Sequence, residues 1–360
     1  MVDMKKIAID ISHYWKMSWY GIVTNNLLKK ILETDDKNKY YLISNEKKDL
    51  SDLRNLNNRQ FICTKVSFSI HKFFILPKYL KKYHIDTYFS FDQDLPFKKV
   101  CKYAIISHDI WAVVLWKWWT LKMLFKKKFN IINWIYHLLN IEKRSAQKAD
   151  IIFCPSENTK KDLIKYFSVD KNKIFITYRW LDHLKKSIPS KDNVTKYILF
   201  PFSNLYSDFQ YELANKLIDN WVINEIYFLR PACLNNKNIT LNEWIRIINK
   251  RISDEELTSF YKNAELSIYL SSYDWFWFPP LESIFHNTPV ICNNSSSIPE
   301  ILDNLWIINS LNINKFLEVI TNILNNPKAK KDLLIKQKTR IEIFKRKYTV
   351  NTILNHLTNL

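Results

Sequence analysis

Short apolar runs recur along the chain, separated by polar stretches in which apolar positions follow a helical spacing. In the first half the runs are KKIAIDI, KYYLIS, RQFICTKV, DTYFSF, KYAIISHD, ADIIFCPS and KIFITY; in the second they are KYILFPF, NEIYFL, WIRIIN, LSIYL, PVICN and LWIINS. Each is too short for an ordinary helix and rich in β-branched or aromatic residues, which predicts a buried strand. Strands alternating with helices predict parallel sheets wrapped by helices. The stretch KKSIPSKDNVT at 185–195 is polar, carries Pro189 and has no apolar period, so it is the expected linker. The class is therefore α/β: two Rossmann-like, doubly wound parallel-sheet domains facing a cleft, with boundaries at 1–186 and 187–348. No internal repeat or low-complexity segment is evident.

Composition narrows the function classes. A chain of 360 residues has room for two domains, and 47% hydrophobic with 15% aromatic residues excludes a disordered tail protein. No apolar run is long enough to span a bilayer. MVDMKKIAIDIS passes straight into a strand and leaves no room for a signal peptide, so a cytoplasmic protein is expected. Cys63, Cys101, Cys154, Cys233 and Cys292 are scattered without a Cys-x-x-Cys pair, which indicates neither a zinc site nor a disulfide framework but buried, reduced thiols. Neither a Walker-type loop nor a nucleophilic Ser-His-Asp order occurs, and no metal dependence is expected.

The net charge of +19 implies an anionic partner: nucleic acid, phospholipid or sugar nucleotide. Abundant Lys, Asn and Ile also fit an AT-rich genome. No nucleic-acid recognition module is present, and that partner is not expected. The stretch Trp116 to Lys148 sets eight Lys or Arg against Glu142 alone, interleaved with Trp and Leu. It reads either as a basic amphipathic surface that lies on anionic lipid, making the protein peripheral on the inner face of the cell membrane, or as an ordinary half-buried helix pair with a solvated lysine face.

The densest chemistry lies between Leu266 and Leu302. LSIYL predicts a core strand, Pro279 and Pro280 pre-set the first turn of a helix continued by LESIFH, and PVIC is the next strand. Asp274 thus falls in the loop leaving a strand and Glu282 in the helix that follows, at the edge where open α/β sheets bind ligands. Asp274 as a cap of that helix is the alternative reading. His108 and Asp109 follow the strand YAIIS at the equivalent edge of the first domain. A lone histidine there is open to a structural reading as well. Gly21, with Ser18 and Tyr20, is expected in the first strand-to-helix loop, where backbone amides cradle phosphate. Ser296, Ser297 and Glu300 open the helix after PVICN and either meet phosphate or cap it; Ser156 and Thr159 read as a structural helix start.

These motifs carry a resemblance. DWFWFPPLE, TPVI and SSIPE are similar to the donor-site signature of retaining glycosyltransferases of family 4, the glycosyl transferases of group 1. ISDEELTSFYKNA, ADIIFCPSENTKKDL, VDKNKIFITYRWLDH, ISHDIW and IAIDISHYWKMSWYGIVTNNLLKKI resemble further segments of the family, in family order and over nearly the whole chain. The resemblance implies the GT-B architecture, with an N-terminal acceptor domain, a C-terminal nucleotide-sugar donor domain and residues 349–360 packed back on the first. It implies transfer of a hexose, mannose being one candidate, with retention from a GDP- or UDP-linked sugar to a saccharide or lipid-linked acceptor in envelope polysaccharide synthesis, with no cofactor. Catalytic roles around the sugar fall to Asp274 and His108. Donor binding falls to Glu282, on the ribose, and to Gly21, Phe278, Pro279, Pro280, Leu281 and Ser297.

Two departures stand out. The family's Arg and Lys after the first strand of the second domain are missing: no basic residue lies between Tyr197 and Lys216, and Asp208 and Phe209 take their place. Arg179, Arg230 and Lys250 are the alternative cations; a non-catalytic GT-B-like scaffold with a degenerate donor site is the alternative function. Glycine is also nearly absent. Ordinary usage would give roughly 25 in this length, yet Gly21 is the single one, against 13 tryptophans. Trp275, Trp277 and Trp180 stand where the family has glycine. Three readings compete: a degenerate relative, a working enzyme whose indoles stack on base or sugar, or a gene whose UGA codons mean glycine and are written here as tryptophan.

Overall fold

The computed structural model describes residues 4–12, 14, 19–50, 53, 59–110, 113, 140–178, 196–201, 207–229, 240–250, 252–271, 273, 278–344 and 346–360. Asp274, Trp180, Trp275, Trp277, Arg179, Arg230 and most of the Trp116 to Lys148 stretch lie outside the described residues. All thirteen apolar runs form strands: β1 (Lys6–Asp10), β2 (Lys39–Ser44), β3 (Arg59–Cys63), β4 (Thr87–Ser90), β5 (Lys102–Ile106), β6 (Ile151–Cys154), β7 (Ile174–Ile176), β8 (Tyr197–Pro201), β9 (Ile226–Leu229), β10 (Ile245–Ile248), β11 (Ala264–Tyr269), β12 (Val290–Asn293) and β13 (Ile307–Ile308). They build two sheets, ordered β3-β2-β1-β4-β5-β6-β7 and β10-β9-β8-β11-β12-β13. Every strand pair is parallel. The expected doubly wound parallel class is thus observed twice.

The chain divides into two compact units, Met1–Tyr178 with Lys347–Leu360, and Arg179–Arg346. Within the first unit the last helix, Arg346–Asn359, lies against β6 and β7: the His356 ring is 3.7 Å from that of Phe175, and Thr349 Oγ1 donates to the Tyr178 carbonyl at 2.5 Å. Burial on both faces explains why consecutive residues of the central strands are all apolar. Ile7, Ala8 and Ile9 in β1 and Ile198, Leu199 and Phe200 in β8 are essentially inaccessible to solvent.

A buried ion pair interrupts this core in the first unit. Lys72, in a π-helical turn His71–Ile75, is fully buried and donates to Asp10 Oδ2 at 2.5 Å and to Ser90 Oγ at 3.0 Å. Tyr88 donates to the same Asp10 oxygen at 3.0 Å, and the Ser12 amide to the other at 2.8 Å. Burial acts to raise the pKa of Asp10, but the Lys72 ammonium, its hydrogen bond and the Ser12 amide outweigh it and hold the carboxyl far below its ordinary range.

Scarce glycine leaves a mark on the backbone. Among the described residues ten non-glycine positions have positive φ, including Trp221 (55°) and Trp306 (57°). Trp221 ends the helix Ser207–Asp219: its N–H donates to Ile218 O at 2.9 Å and that of Val222 to Leu217 O at 3.0 Å, the Schellman pattern whose left-handed residue is most often glycine. Its indole is 87% exposed, so little packing offsets the conformational cost, whereas Trp306 packs on the core of its unit.

Removal of one partner from a buried ion pair strands the other, so Lys72→Met should lose about 3–5 kcal/mol of unfolding free energy at pH 7, read by denaturant titration. Because the folded pKa of Asp10 lies below the unfolded value of about 4, the stabilisation is complete above about pH 4 and lost as pH falls through the depressed value. The stability gap between Lys72→Met and the parent should therefore narrow as pH falls below about 4. Trp221→Gly should gain about 0.5–1 kcal/mol, the left-handed penalty of an L-residue less the flexibility cost of glycine; a loss would show that the exposed indole is held. If UGA is read as glycine, protein from its native source has an intact mass below that of the all-tryptophan chain, and an equal mass excludes that reading.

Candidate functional site

Strand order reverses direction once in each sheet, between β1 and β4 in the first and between β8 and β11 in the second, and ligands of doubly wound folds lie outside the carboxyl ends of strands at such points. In the first unit the two strand ends, Asp10 and Ser90, are bridged by Lys72. In the second, β11 leads to a clamp: Asn293, at the end of β12, accepts from Ser271 N at 3.0 Å and donates from Nδ2 to Ser271 O at 2.8 Å. The main chain is thereby fixed three residues before Asp274, which itself lies outside the described residues.

After that loop the helix Phe278–Phe285 begins. Pro279 and Pro280 fit its first turn, where N–H groups have no intrahelical partner, and of the first three residues only Phe278 keeps an amide hydrogen to offer an anion. Leu281 is completely buried and Phe278 and Pro280 are buried too, so these side chains belong to the core, and only the backbone of Leu281 is available for the expected ligand role.

Glu282 lies one turn further on and is 7% exposed. Tyr261, at the end of the helix Asp254–Asn263, donates its hydroxyl to Glu282 Oε2 at 2.9 Å. Burial, then the charge of Glu282 and this hydrogen bond, push the Tyr261 pKa well up, which keeps the phenol a donor. The Tyr261 ring stacks on His286 at 5.9 Å and 14°. Thr288 Oγ1 donates to the Tyr261 carbonyl, and Ser283 Oγ donates to the Thr288 carbonyl at 3.0 Å. Tyr261, His286 and Thr288 are neighbours of Glu282 that sequence reasoning did not assign. Tyr261 and Thr288 stand in quoted motifs, but spacing gives no sign of a hydroxyl meeting a carboxylate 21 residues away.

The remaining candidates fall as follows. Ser297 is fully buried, precedes the five-residue helix Ile298–Leu302 and makes no side-chain cap, so the capping alternative does not hold for it. Ser156 does cap its helix, accepting from Thr159 N at 3.1 Å. His108 is 2% exposed just beyond β5, with Nε2 2.7 Å from the Phe91 carbonyl. Glu142, near the same strand ends, is pushed up to about 7 by burial and by the charges of Asp94 and Asp109. Gly21 corrects an expectation: the helix Trp19–Thr34 starts two residues before it, so Gly21 lies in the first helical turn and not in the preceding loop, and its φ is not positive. WYGIV has enough apolar character to extend the helix through a single glycine, whose cost is about 1 kcal/mol.

Of the alternative cations Lys250 is described. It is exposed and donates at 2.5 Å to Oε1 of Glu256, the glutamate whose other oxygen accepts from Ser253 N in the capping box of the Tyr261 helix. Asp208 sits in the first turn of the helix Ser207–Asp219. Among the described residues no cluster of His, Cys, Asp or Glu is placed to hold a metal, and no helix is long and apolar enough to cross a membrane.

Residues 237–340, which include Tyr261, Glu282 and Ser297, match the family model of glycosyl transferases group 1. A 69-residue stretch is 33% identical to the O-antigen chain mannosyltransferase B of Escherichia coli; it covers 19% of this chain and 18% of that protein. Solved structures match over nearly the full length. HepE of Anabaena, in complex with UDP, superposes with a TM-score of 0.65 at 13% identity, covering 99% of this chain and 100% of that one. WaaG, a glycosyltransferase involved in lipopolysaccharide biosynthesis, gives 0.65 at 11% identity, covering 98% and 99%. The structural likeness establishes the fold, that of the GT-B glycosyltransferases, and the segment 237–340 is similar to the glycosyl transferases of group 1.

Proposed function

We propose that the protein is a retaining glycosyltransferase that moves a hexose from a nucleotide diphosphate sugar to a saccharide or lipid-linked acceptor in envelope polysaccharide synthesis. The observation that carries this reading is the group 1 match over 237–340, with Glu282 in the helix that follows β11 and held there by Tyr261. The O-antigen mannosyltransferase relative favours a polysaccharide product, and the UDP-bound neighbour favours a nucleotide-linked donor. In this mechanism Glu282 accepts hydrogen bonds from the ribose hydroxyls, and the roles toward the sugar are assigned to Asp274 and His108. The anomeric carbon passes through a cation-like transition state, and the acceptor enters on the face from which the diphosphate departs. Chemistry of that kind needs few reacting side chains; it needs groups fixed where charge develops. A net charge of +19 supports action at an anionic membrane surface on the cytoplasmic side.

A second reading, a scaffold that has lost its donor site, is favoured by one observation: the segment from Tyr197 to Lys216 has no cation before its last residue and carries Asp208. A carboxylate there opposes a diphosphate. Thermal denaturation with a panel of nucleoside diphosphates separates the readings. Ligand at about 100 times its Kd adds about 2.7 kcal/mol to a protein that binds it, and a scaffold without the site shows no shift with any.

For the enzyme, Glu282→Ala and Asp274→Ala should each lower kcat/KM for donor turnover by about 100-fold or more, a loss of about 2.7 kcal/mol of transition-state stabilisation. Unchanged turnover in both variants would remove the site assignment.

A further inference from the structure

The family-like helix SDEELTSFYKNA contains a tyrosine that the proposed mechanism does not use. Tyr261 is completely buried and donates to a carboxylate that is itself buried. Filling the core would need only a phenylalanine ring; the hydroxyl adds a hydrogen bond to one chosen oxygen of Glu282. Both ends of that contact are braced. The tyrosine ring lies on His286, whose amide donates to the Glu282 carbonyl at 3.0 Å, and the tyrosine main chain is tied through Thr288 to Ser283, the residue next to Glu282. A glutamate has several rotatable bonds, and a carboxylate that must meet two vicinal hydroxyls gains affinity when its plane is set beforehand.

We infer that Tyr261 is a positioning residue for the donor's ribose: its hydroxyl sets the plane of the Glu282 carboxylate, and through Glu282 it makes the site select ribonucleotides. The inference rests on the donor-site reading above and adds to it the group that makes Glu282 selective. Tyr261 itself touches no substrate in this arrangement.

Calorimetric titration with UDP or GDP, whichever the parent protein binds, and with its 2′,3′-dideoxy analogue tests the inference. The parent should prefer the ribonucleotide by about tenfold or more, the scale of a hydrogen bond to a charged group. In Tyr261→Phe the preference should fall below about threefold while affinity for the dideoxy analogue stays within about twofold of the parent, an asymmetry that loss of packing would not produce. A preserved preference, or an equal loss for both ligands, would overturn the inference and leave the donor site standing. Failure of the parent to bind either nucleotide would overturn the donor-site reading and this inference with it. Should Tyr261→Phe not fold because it removes a donor from a buried charge, Glu282→Ala and Tyr261→Phe/Glu282→Ala remain comparable: affinities within about twofold support action through Glu282, and a further loss beyond about threefold refutes it.

Discussion

In an all-parallel sheet every strand delivers its carboxyl end to the same edge, and the residues that turn the chain there are polar yet walled in by helices on both faces. Leaving such a group unpaired costs about 1–3 kcal/mol. The two units answer in different ways. In the first, Asp10 and Ser90 are joined by the Lys72 ammonium. In the second, the Asn293 amide clamps Ser271 at this edge.

The same economy ties the outer layer of the second unit to its sheet. Gln337, fully buried in the helix Pro327–Ile341, accepts from Val290 N at 3.2 Å and donates to Val290 O at 2.8 Å, standing in for a strand partner at the start of β12. One turn later Arg340 donates to the carbonyls of Ile301 and Glu300, the end of the short helix behind Ser297. Side chains that satisfy the backbone therefore also set the spacing between the elements on which the candidate donor residues sit. Stability and site geometry share their contacts here.

Most of the fold was legible in the chain because strand burial writes itself as local apolar composition: all thirteen runs, from KKIAIDI to LWIINS, became strands. The helix start at Ser156 was equally readable. Lys72 was not. In HKFFILPKYLKKYH it looks like one of several solvated lysines, and its burial depends on Asp10, 62 positions away. Tyr261 illustrates the same limit, since a motif can place a residue on a helix without saying where its hydroxyl goes. Gly21 differs for another reason: a single glycine does not by itself mark a loop, and here the helix Trp19–Thr34 runs through it.

Burial of Lys72 separates it chemically from the other lysines. Most of the described ones are at least partly open to water and to amine-reactive reagents, while the Lys72 ammonium has no exposed surface and is held protonated, since burial alone would lower its pKa but Asp10 more than compensates. Acylation of Lys72 must wait for the first unit to open, so its labelling rate is a clock for that opening and can be read by peptide mapping in the intact chain.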